Sequence, residues 1–371
     1  MKIGIPKEIK KQEERIALTP AAVHELVEEG SSVYVEAGGG EGAGFPDAAY
    51  EKAGATMLKG AEAVYGEADM IVKVKEPQAS ECKLLRENQL LFCYLHLAAD
   101  RGLTEAVSQS GVTGIAFETV TINGKLPLLE PMSEIAGRMS IVEAAHHLSK
   151  HHGGNGTFIA GVPGVPPAKV AVLGGGTAGL NAARMAAGLG ADVTVFELDG
   201  DRIRYIDMVL PGVKTAYSNK GNIEELLPEL DILIGAVLVP GASAPKLISR
   251  NMLKRMKPGS ILVDIAIDQG GCIETSRATT HQNPTYVEEG VVHYCVANMP
   301  GAYPRTGTCA LTNAISPFVR MLARLGLSDA CLKTPSLVDG INVLGRNVTC
   351  PGVAHAHNLR YVDPLTVLGN L

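Results

Sequence analysis

Lys169-Val-Ala-Val-Leu-Gly174-Gly-Gly176-Thr-Ala-Gly179-Leu-Asn-Ala-Ala-Arg-Met185 decides how this chain is read. A short apolar run enters a G-x-G-x-x-G turn, and a segment rich in helix formers leaves it. Asp192-Val-Thr-Val-Phe196 then reads as a second strand and ends on the acid Glu197. Gly174 permits a tight turn, Gly176 permits backbone to approach a pyrophosphate, and Gly179 permits the helix to pack close to the sheet. The helix start offers unbonded N–H groups to phosphate oxygens. An acid about 20 residues further on can accept hydrogen bonds from an adenine ribose. Glycine-rich turns are common, but strand, glycines, helix, strand and acid in this order point to a dinucleotide site. A structural turn in some other doubly wound domain is the alternative.

Bulk properties narrow the function classes. At 371 residues the chain is long enough for two domains with full cores. Its 46% hydrophobic and 19% charged residues are ordinary for a globular protein. A net charge of −6 does not favour nucleic acid or an anionic membrane. Met1-Lys-Ile-Gly-Ile-Pro6 reads as a first strand rather than a leader. The longest apolar runs are shorter than the roughly 20 residues a spanning helix needs. Seven scattered cysteines without a C-x-x-C pair suggest reduced thiols in the cytoplasm. With no Trp and 4% aromatic residues, stacking platforms for bases are not expected.

The pattern along the chain predicts an α/β protein of two domains, each with a mainly parallel βα sheet. In the first, strands are expected at 2–5, 33–35, 70–74, 90–95 and 115–117, with a helix at 21–29 after Thr19-Pro20 and a mobile glycine-rich loop at 38–44. Ser133 is expected to cap a helix over 134–147. Strands at 169–173, 192–196, 231–236, 260–265 and 291–297, with a weak one near 215–217, give the rhythm of a complete dinucleotide-binding (Rossmann) fold. A helix over 310–325 follows, and the tail from Asp339 shows no clear pattern. Residues 1–130 thus start a catalytic domain, 131–304 form the Rossmann domain, and 305–371 return to the first.

Ligands of open parallel sheets sit beyond the carboxyl ends of the strands. Lys75, His96 and Glu118 fall at such ends in the first domain, and Asp268 and Asn298 in the second. If the two edges face each other, one cleft collects them, and Arg15 on the loop after the first strand can reach it. A guanidinium grips a carboxylate in bidentate fashion, although taken alone Arg15 reads better as a surface residue paired with a nearby Glu. Lys75 can hold a carboxylate or polarise a carbonyl; a guard against edge aggregation is the plainer reading. His96 can pass a proton near neutrality, or simply be a hydrogen-bonded structural residue. Asp268 precedes Gly270-Gly271, a turn suited to close approach of a ligand, whereas Asp264 reads as structural. His146-His147 with His151-His152, and His355 with His357, lack a zinc-like spacing with Cys or acid, and no metal is expected.

Several blocks carry a resemblance to a known family. Arg15-Ile-Ala-Leu-Thr-Pro, Val72-Lys-Val-Lys75-Glu-Pro, Tyr94-Leu-His96, Pro131-Met-Ser133-Glu, the Gly174 motif, Val237-Leu-Val-Pro-Gly, Asp264-Ile-Ala-Ile-Asp268-Gln-Gly-Gly and Val296-Ala-Asn298-Met-Pro resemble the alanine dehydrogenase/transhydrogenase α-subunit family. The resemblance runs from residue 1 to about 327. It implies NAD as cofactor and reversible oxidative deamination of L-alanine to pyruvate and ammonium, in a cytoplasmic homohexamer. By matching position it implies that Arg15 and Lys75 bind substrate and that His96 and Asp268 are catalytic. It places Ser133, Gly174, Gly176, Thr177, Ala178, Gly179, Glu197, Arg202, Ser218, Val237 and Leu238 on the cofactor, together with Ile265, Ala266, Ile267, Asp268, Arg277, Val296, Ala297, Asn298 and Met299.

There are departures. Glu197 stands where the family usually has Asp. Met321 and Leu325 stand where some members hold magnesium with Glu and His. The tail after about Asp339 does not resemble the family's usual end. The rivals are the NAD(H)-binding part of a proton-translocating transhydrogenase, a non-enzymatic NADH-binding redox sensor, and an opine- or saccharopine-type dehydrogenase. A transhydrogenase part or a sensor has no use for an Arg/Lys clamp beside an acid/base histidine. An opine-type enzyme needs a second, larger amine.

Overall fold

The computed structural model describes residues 1–237 and 244–369. Fifteen strands are present among them. The first six are β1 (Lys2–Ile5), β2 (Ser32–Glu36), β3 (Thr56–Leu58), β4 (Met70–Val72), β5 (Leu90–Cys93) and β6 (Thr113–Ala116). Next come β7 (Lys169–Leu173), β8 (Asp192–Glu197), β9 (Lys214–Tyr217), β10 (Ile232–Gly235), β11 (Ile261–Asp264), β12 (Thr285–Glu288) and β13 (Val291–Tyr294). Last are β14 (Ile341–Leu344) and β15 (Asn347–Val348). The chain forms two compact units, one made of Met1–Met132 with the chain from Tyr303 onward, the other of Ser133–Ala302.

The first unit holds an eight-stranded sheet in the order β15-β14-β6-β5-β4-β1-β2-β3. Pairs among β1 to β6 are parallel, and β14 joins β6 antiparallel. Every residue of β4, β5 and β6 is buried, as expected of parallel strands covered on both faces. These three strands stop short of the expected ends, so Lys75, His96 and Glu118 lie on the turns beyond the ladder. The glycine-rich stretch expected to be a mobile loop folds into a short 3₁₀ turn, Glu41–Ala43, with Gly39 and Gly40 buried.

Two further expectations in this unit are corrected. The helix expected at 310–325 runs over Pro304–Lys333, starting on a proline and broken at Gly326, where φ is +74°. The tail is not patternless: it supplies β14, β15 and the short helices Pro351–His357 and Pro364–Leu368. Asn342 breaks the apolar run of β14, but it is buried and accepts a hydrogen bond from Thr119 Oγ1 at 2.9 Å, so a satisfied polar residue hides the strand.

The second unit holds a seven-stranded sheet in the order β12-β13-β11-β10-β7-β8-β9, parallel except for β12 with β13. Alternate residues feed opposite faces. Val170, Val172, Ile232, Ile234, Ile261 and Val263 enter one core cluster, while Ala171, Leu173, Leu233 and Leu262 enter the other. β12 escapes a reading based on βα rhythm because it is the first arm of a hairpin. Its turn, Glu289-Gly290, has φ of +51° and +77°, the two left-handed residues that a tight hairpin turn uses.

The long helix starts at Glu130 and runs to His147, so Ser133 lies inside its first turn rather than capping it. Pro131 needs no amide partner there and Glu130 suits the positive end of the helix, which moves the start forward. All seven cysteines are free thiols. Among the described residues no helix is long and apolar enough to cross a membrane, and no group of three or more His, Cys, Asp or Glu is arranged to hold a metal ion.

His147 ends that helix with a side chain only 9% exposed, its ring 5.9 Å from that of Tyr294 and 5.7 Å from that of His152. Burial, then the neighbouring His146 and His152, push its pKa down to about 4. An unfolded histidine titrates near ~6.5. Between these values the unfolded chain holds a proton that the folded chain does not. His147 therefore adds stability as pH rises through this window and loses it as pH falls. The drop in melting temperature from pH 7 to pH 5 should be smaller in His147→Gln than in the parent; an equal drop excludes His147 as a source.

Candidate active site

Four strands that are neighbours in the first sheet, β6, β5, β4 and β1, present their carboxyl ends along one edge. Arg15 lies on the chain after β1 and is 1% exposed. Its Nε and Nη2 donate to the two carboxylate oxygens of Glu13 at 2.6 and 2.5 Å. Burial opposes the guanidinium charge, but Glu13 outweighs it and the proton is held more tightly than usual. The returning helix braces this segment: Ile16 N donates to Thr308 Oγ1 and Thr19 N to Thr312 Oγ1, both at 3.1 Å.

Two lysines follow β4, and both are buried. Lys73 is held in a cluster of charges, with Nζ 3.0 Å from Glu8 and 2.8 Å from Glu81. Burial disfavours its charge, yet the two carboxylates keep its pKa above the ordinary lysine value. Glu8 also accepts Val74 N at 2.6 Å, which pins the backbone one residue before Lys75. Lys75 is 8% exposed. Lys73 is thus structural. Its signal was a charge inside an apolar run, which requires a buried partner.

His96 follows β5 in a left-handed conformation, φ +47° and ψ +33°. Its ring stacks on Tyr94 with centroids 5.9 Å apart and planes 13° apart. The Tyr94 hydroxyl donates to Leu128 O at 2.5 Å. Glu118, after β6, accepts the backbone N–H groups of Leu95 and His96.

In the second unit the candidate residues also gather at carboxyl ends of parallel strands. Gly174, just past β7, has φ +93°, and a Cβ there would lie 2.9 Å from Ala236 O. A Cβ on Gly179 would lie 1.8 Å from Gly174 O, so the helix Thr177–Gly188 sits against the turn as closely as backbone allows. A Cβ on Gly176 would meet nothing within 4 Å. Gly176 is also the helix N-cap and brings no side chain to cover the first amides, of Thr177, Ala178 and Gly179. Open space over a helix start fits the pyrophosphate of a dinucleotide.

Glu197 ends β8. It accepts Gly175 N at 2.7 Å through one oxygen, and Leu198 N and Asp199 N at 2.6 and 3.1 Å through the other. A carboxylate offers about four acceptor sites, so capacity for a ribose hydroxyl remains. Arg202 donates to Gly175 O and lies 4.9 Å from the Tyr205 ring centroid. Ser218 N bonds to Glu197 O at 2.9 Å just after β9. Val237 follows β10, and Leu238 lies outside the described residues.

Ile265, Ala266, Ile267 and Asp268 form a 3₁₀ turn after β11. Asp264 is fully buried and holds that turn, accepting from Ala266 N at 3.2 Å, Cys272 N at 3.0 Å and Ser276 Oγ at 2.6 Å. Burial raises its pKa, with Ser276 and Cys272 pulling the other way. Asp268 is exposed and accepts Asn298 N at 3.3 Å. Asn298, with Val296, Ala297 and Met299 beyond β13, is itself left-handed at φ +58°. The Arg277 guanidinium lies 3.8 Å from the Tyr286 ring centroid.

Family models described as alanine dehydrogenase/PNT, N-terminal and C-terminal domain, match residues 4–136 and 140–351. The chain belongs to this family. It is an NAD-binding oxidoreductase of α/β architecture. The alanine dehydrogenase of Halomonas elongata is 54% identical over 371 residues, covering 100% of both chains. That of Geobacillus stearothermophilus is 52% identical, covering 99% of this chain and 100% of the relative. A solved L-alanine dehydrogenase superposes with a TM-score of 0.92 at 48% identity, over 96% of this chain and 99% of that one. A transhydrogenase structure from Sinorhizobium meliloti superposes with a TM-score of 0.82 at 27% identity, over 94% and 100%. The similarity does not stop near residue 327, because the alignment with the Halomonas protein spans the whole tail.

The two glycines of the turn have separable jobs. Gly176→Ala should melt close to the parent, since its Cβ enters open space, while NADH affinity in a fluorescence titration should fall about tenfold or more, roughly 1.4 kcal/mol. Gly179→Ala should instead cost about 1–3 kcal/mol of stability, or more, because backbone cannot yield to the new atom. Equal melting temperatures for the two variants would refute this division.

Proposed function

We propose that this chain catalyses the NAD-dependent oxidative deamination of L-alanine to pyruvate and ammonium, and the reverse reductive amination. The observation that carries the reading is the row of buried Arg15, buried Lys75 and His96 on neighbouring strand ends, in a chain whose other sheet bears a dinucleotide turn. Alanine, NAD⁺ and water give pyruvate, ammonium, NADH and one proton. Bound NAD is the hydride acceptor. Arg15, oriented by Glu13, and Lys75 hold the substrate carboxylate and orient Cα. His96 takes the proton that leaves the amine and returns one as water adds to the imine. Asp268 orients that water or accepts its proton.

The residues proposed to hold NAD are the Gly174–Gly179 turn, Ser133, Glu197, Arg202, Ser218, Val237, Leu238, the 265–268 turn, Arg277 and 296–299. In functional terms 131–304 is the cofactor domain, and 1–130 with 305–371 is the catalytic one. The assembly is a cytoplasmic homohexamer, which mass measurement in solution checks. The transhydrogenase-like reading rests on the Sinorhizobium superposition. A panel of L-amino acids with NAD separates the readings: alanine-dependent NADH formation is expected, and binding of NADH without turnover would defeat the dehydrogenase.

With activity established, Lys75→Ala should lower kcat/KM for alanine by about 10²-fold while NADH still binds. His96→Gln should lower it by ~10²–10⁴-fold. Parent-like kinetics in either variant removes that residue from its role. Glu197 governs cofactor choice, because a 2′-phosphate would set like charge against its carboxylate. The native kcat/KM should favour NAD over NADP by about a hundredfold, and Glu197→Gln should narrow the ratio. A native preference for NADP would reverse the argument.

A further inference from the structure

We infer that Glu118 is a positioning residue that fixes His96 for proton transfer. The inference rests on the reading of His96 as the acid/base. A left-handed backbone is uncommon for a residue with a side chain, and it persists only where surrounding bonds impose it. Here Ala99 N bonds to His96 O at 3.0 Å on one side of the residue, and on the other side the bonds come from one carboxylate. Glu118 Oε1 accepts His96 N at 2.6 Å and Leu95 N at 3.1 Å, and Oε2 lies 3.2 Å from the same Leu95 N.

The placement follows from strand pairing. β5 and β6 are parallel with Cys93 opposite Ala116, so Leu95 and Glu118 each lie two residues past that pair. Glu118 stands in a single 3₁₀ turn, Phe117–Thr119, and its side chain is 16% exposed against 41% for His96. The imidazole Nδ1 is 3.9 Å from Glu118 Oε1, beyond hydrogen-bond reach. Glu118 therefore hydrogen-bonds the His96 backbone and not its ring, although the same oxygen stands at ion-pair distance from a protonated imidazole. It turns the chain so that the imidazole leaves the strand end and meets solvent, with Tyr94 stacked beside it.

This role makes a prediction that a simple loss of charge or of packing does not. Both amides reach Oε1, so a glutamine carbonyl in its place can accept both, whereas an aspartate keeps the charge but is one methylene too short. Glu118→Gln should retain kcat within a few-fold, Glu118→Asp should lose more, and Glu118→Ala should lose on the order of 10²-fold, all with unchanged NADH affinity. In a His96→Ala background, Glu118→Ala should cause no further loss of kcat, because nothing remains to be positioned.

Each outcome decides something. If Glu118→Ala or Glu118→Asp keeps parental kcat, or if Glu118→Ala lowers the His96→Ala activity as much as it lowers the parent's, the inference is overturned. A stronger loss in Glu118→Gln than in Glu118→Asp also overturns it, and this comparison stands even where Glu118→Ala does not fold. If His96→Ala itself keeps full activity, the reading of His96 has failed, and that result is distinct from all the others.

Discussion

In a parallel sheet all strands point the same way, so the chain can leave the ladder only along one edge. That constraint organises this molecule. In the first sheet the neighbours β6, β5, β4 and β1 release Glu118, His96, Lys75 and Arg15 on a single edge, although these residues are far apart in sequence. In the second sheet the edge collects the glycine turn after β7, Glu197 on β8, Ser218 after β9, Val237 after β10, and the Asp268 and Asn298 segments after β11 and β13. Side chains are thus gathered by strand order, and changes in the intervening helices leave the gathering intact.

An edge alone gives proximity, not precision. The turns at these ends are held by acids that accept backbone N–H groups: Glu8 from Val74, Glu118 from Leu95 and His96, Glu197 from Gly175, and Asp264 from Ala266 and Cys272. Each such bond carries charge assistance and satisfies an amide that has left the ladder. Lys73 supplies compensating positive charge where two carboxylates are buried together. Residues proposed for the chemistry stand beside these anchored segments: Lys75 follows Val74, and Asp268 stands in the turn that Asp264 holds.

The parts legible in the sequence were those with a local signature. Alternating or continuous apolar runs marked most strands, and the spacing of Gly174, Gly176 and Gly179 marked the turn whose geometry is seen. Lys75, His96, Glu118, Asp268 and Asn298 were found by asking what stands at strand ends, although β4, β5 and β6 end one or two residues earlier than their apolar runs suggest. Other features depended on partners distant in the chain. Lys73 could not be told from Lys75 until Glu8 and Glu81 were in place, and Glu118 had no visible task until the β5–β6 register set it beside Leu95. β14 was masked by Asn342, whose partner Thr119 lies on the other side of the fold's sequence. Ser133 resembled a helix cap because serine often is one, while the proline two residues earlier started the helix first.

The antiparallel addition of β14 beside β6 has a consequence for how the molecule is made. The unit from Ser133 to Ala302 is continuous in the chain and contains all of its own sheet. The other unit is interrupted, and its sheet closes on strands encoded after the Ser133–Ala302 unit. During vectorial synthesis the cofactor-binding sheet can therefore be complete while β6 still waits for its outer neighbour. Until then β6 is an open, apolar border, the kind of surface on which nascent chains stick to one another. In the order of synthesis β14 follows the whole Ser133–Ala302 unit, so the sheet that begins first in the chain is completed after the one that begins second.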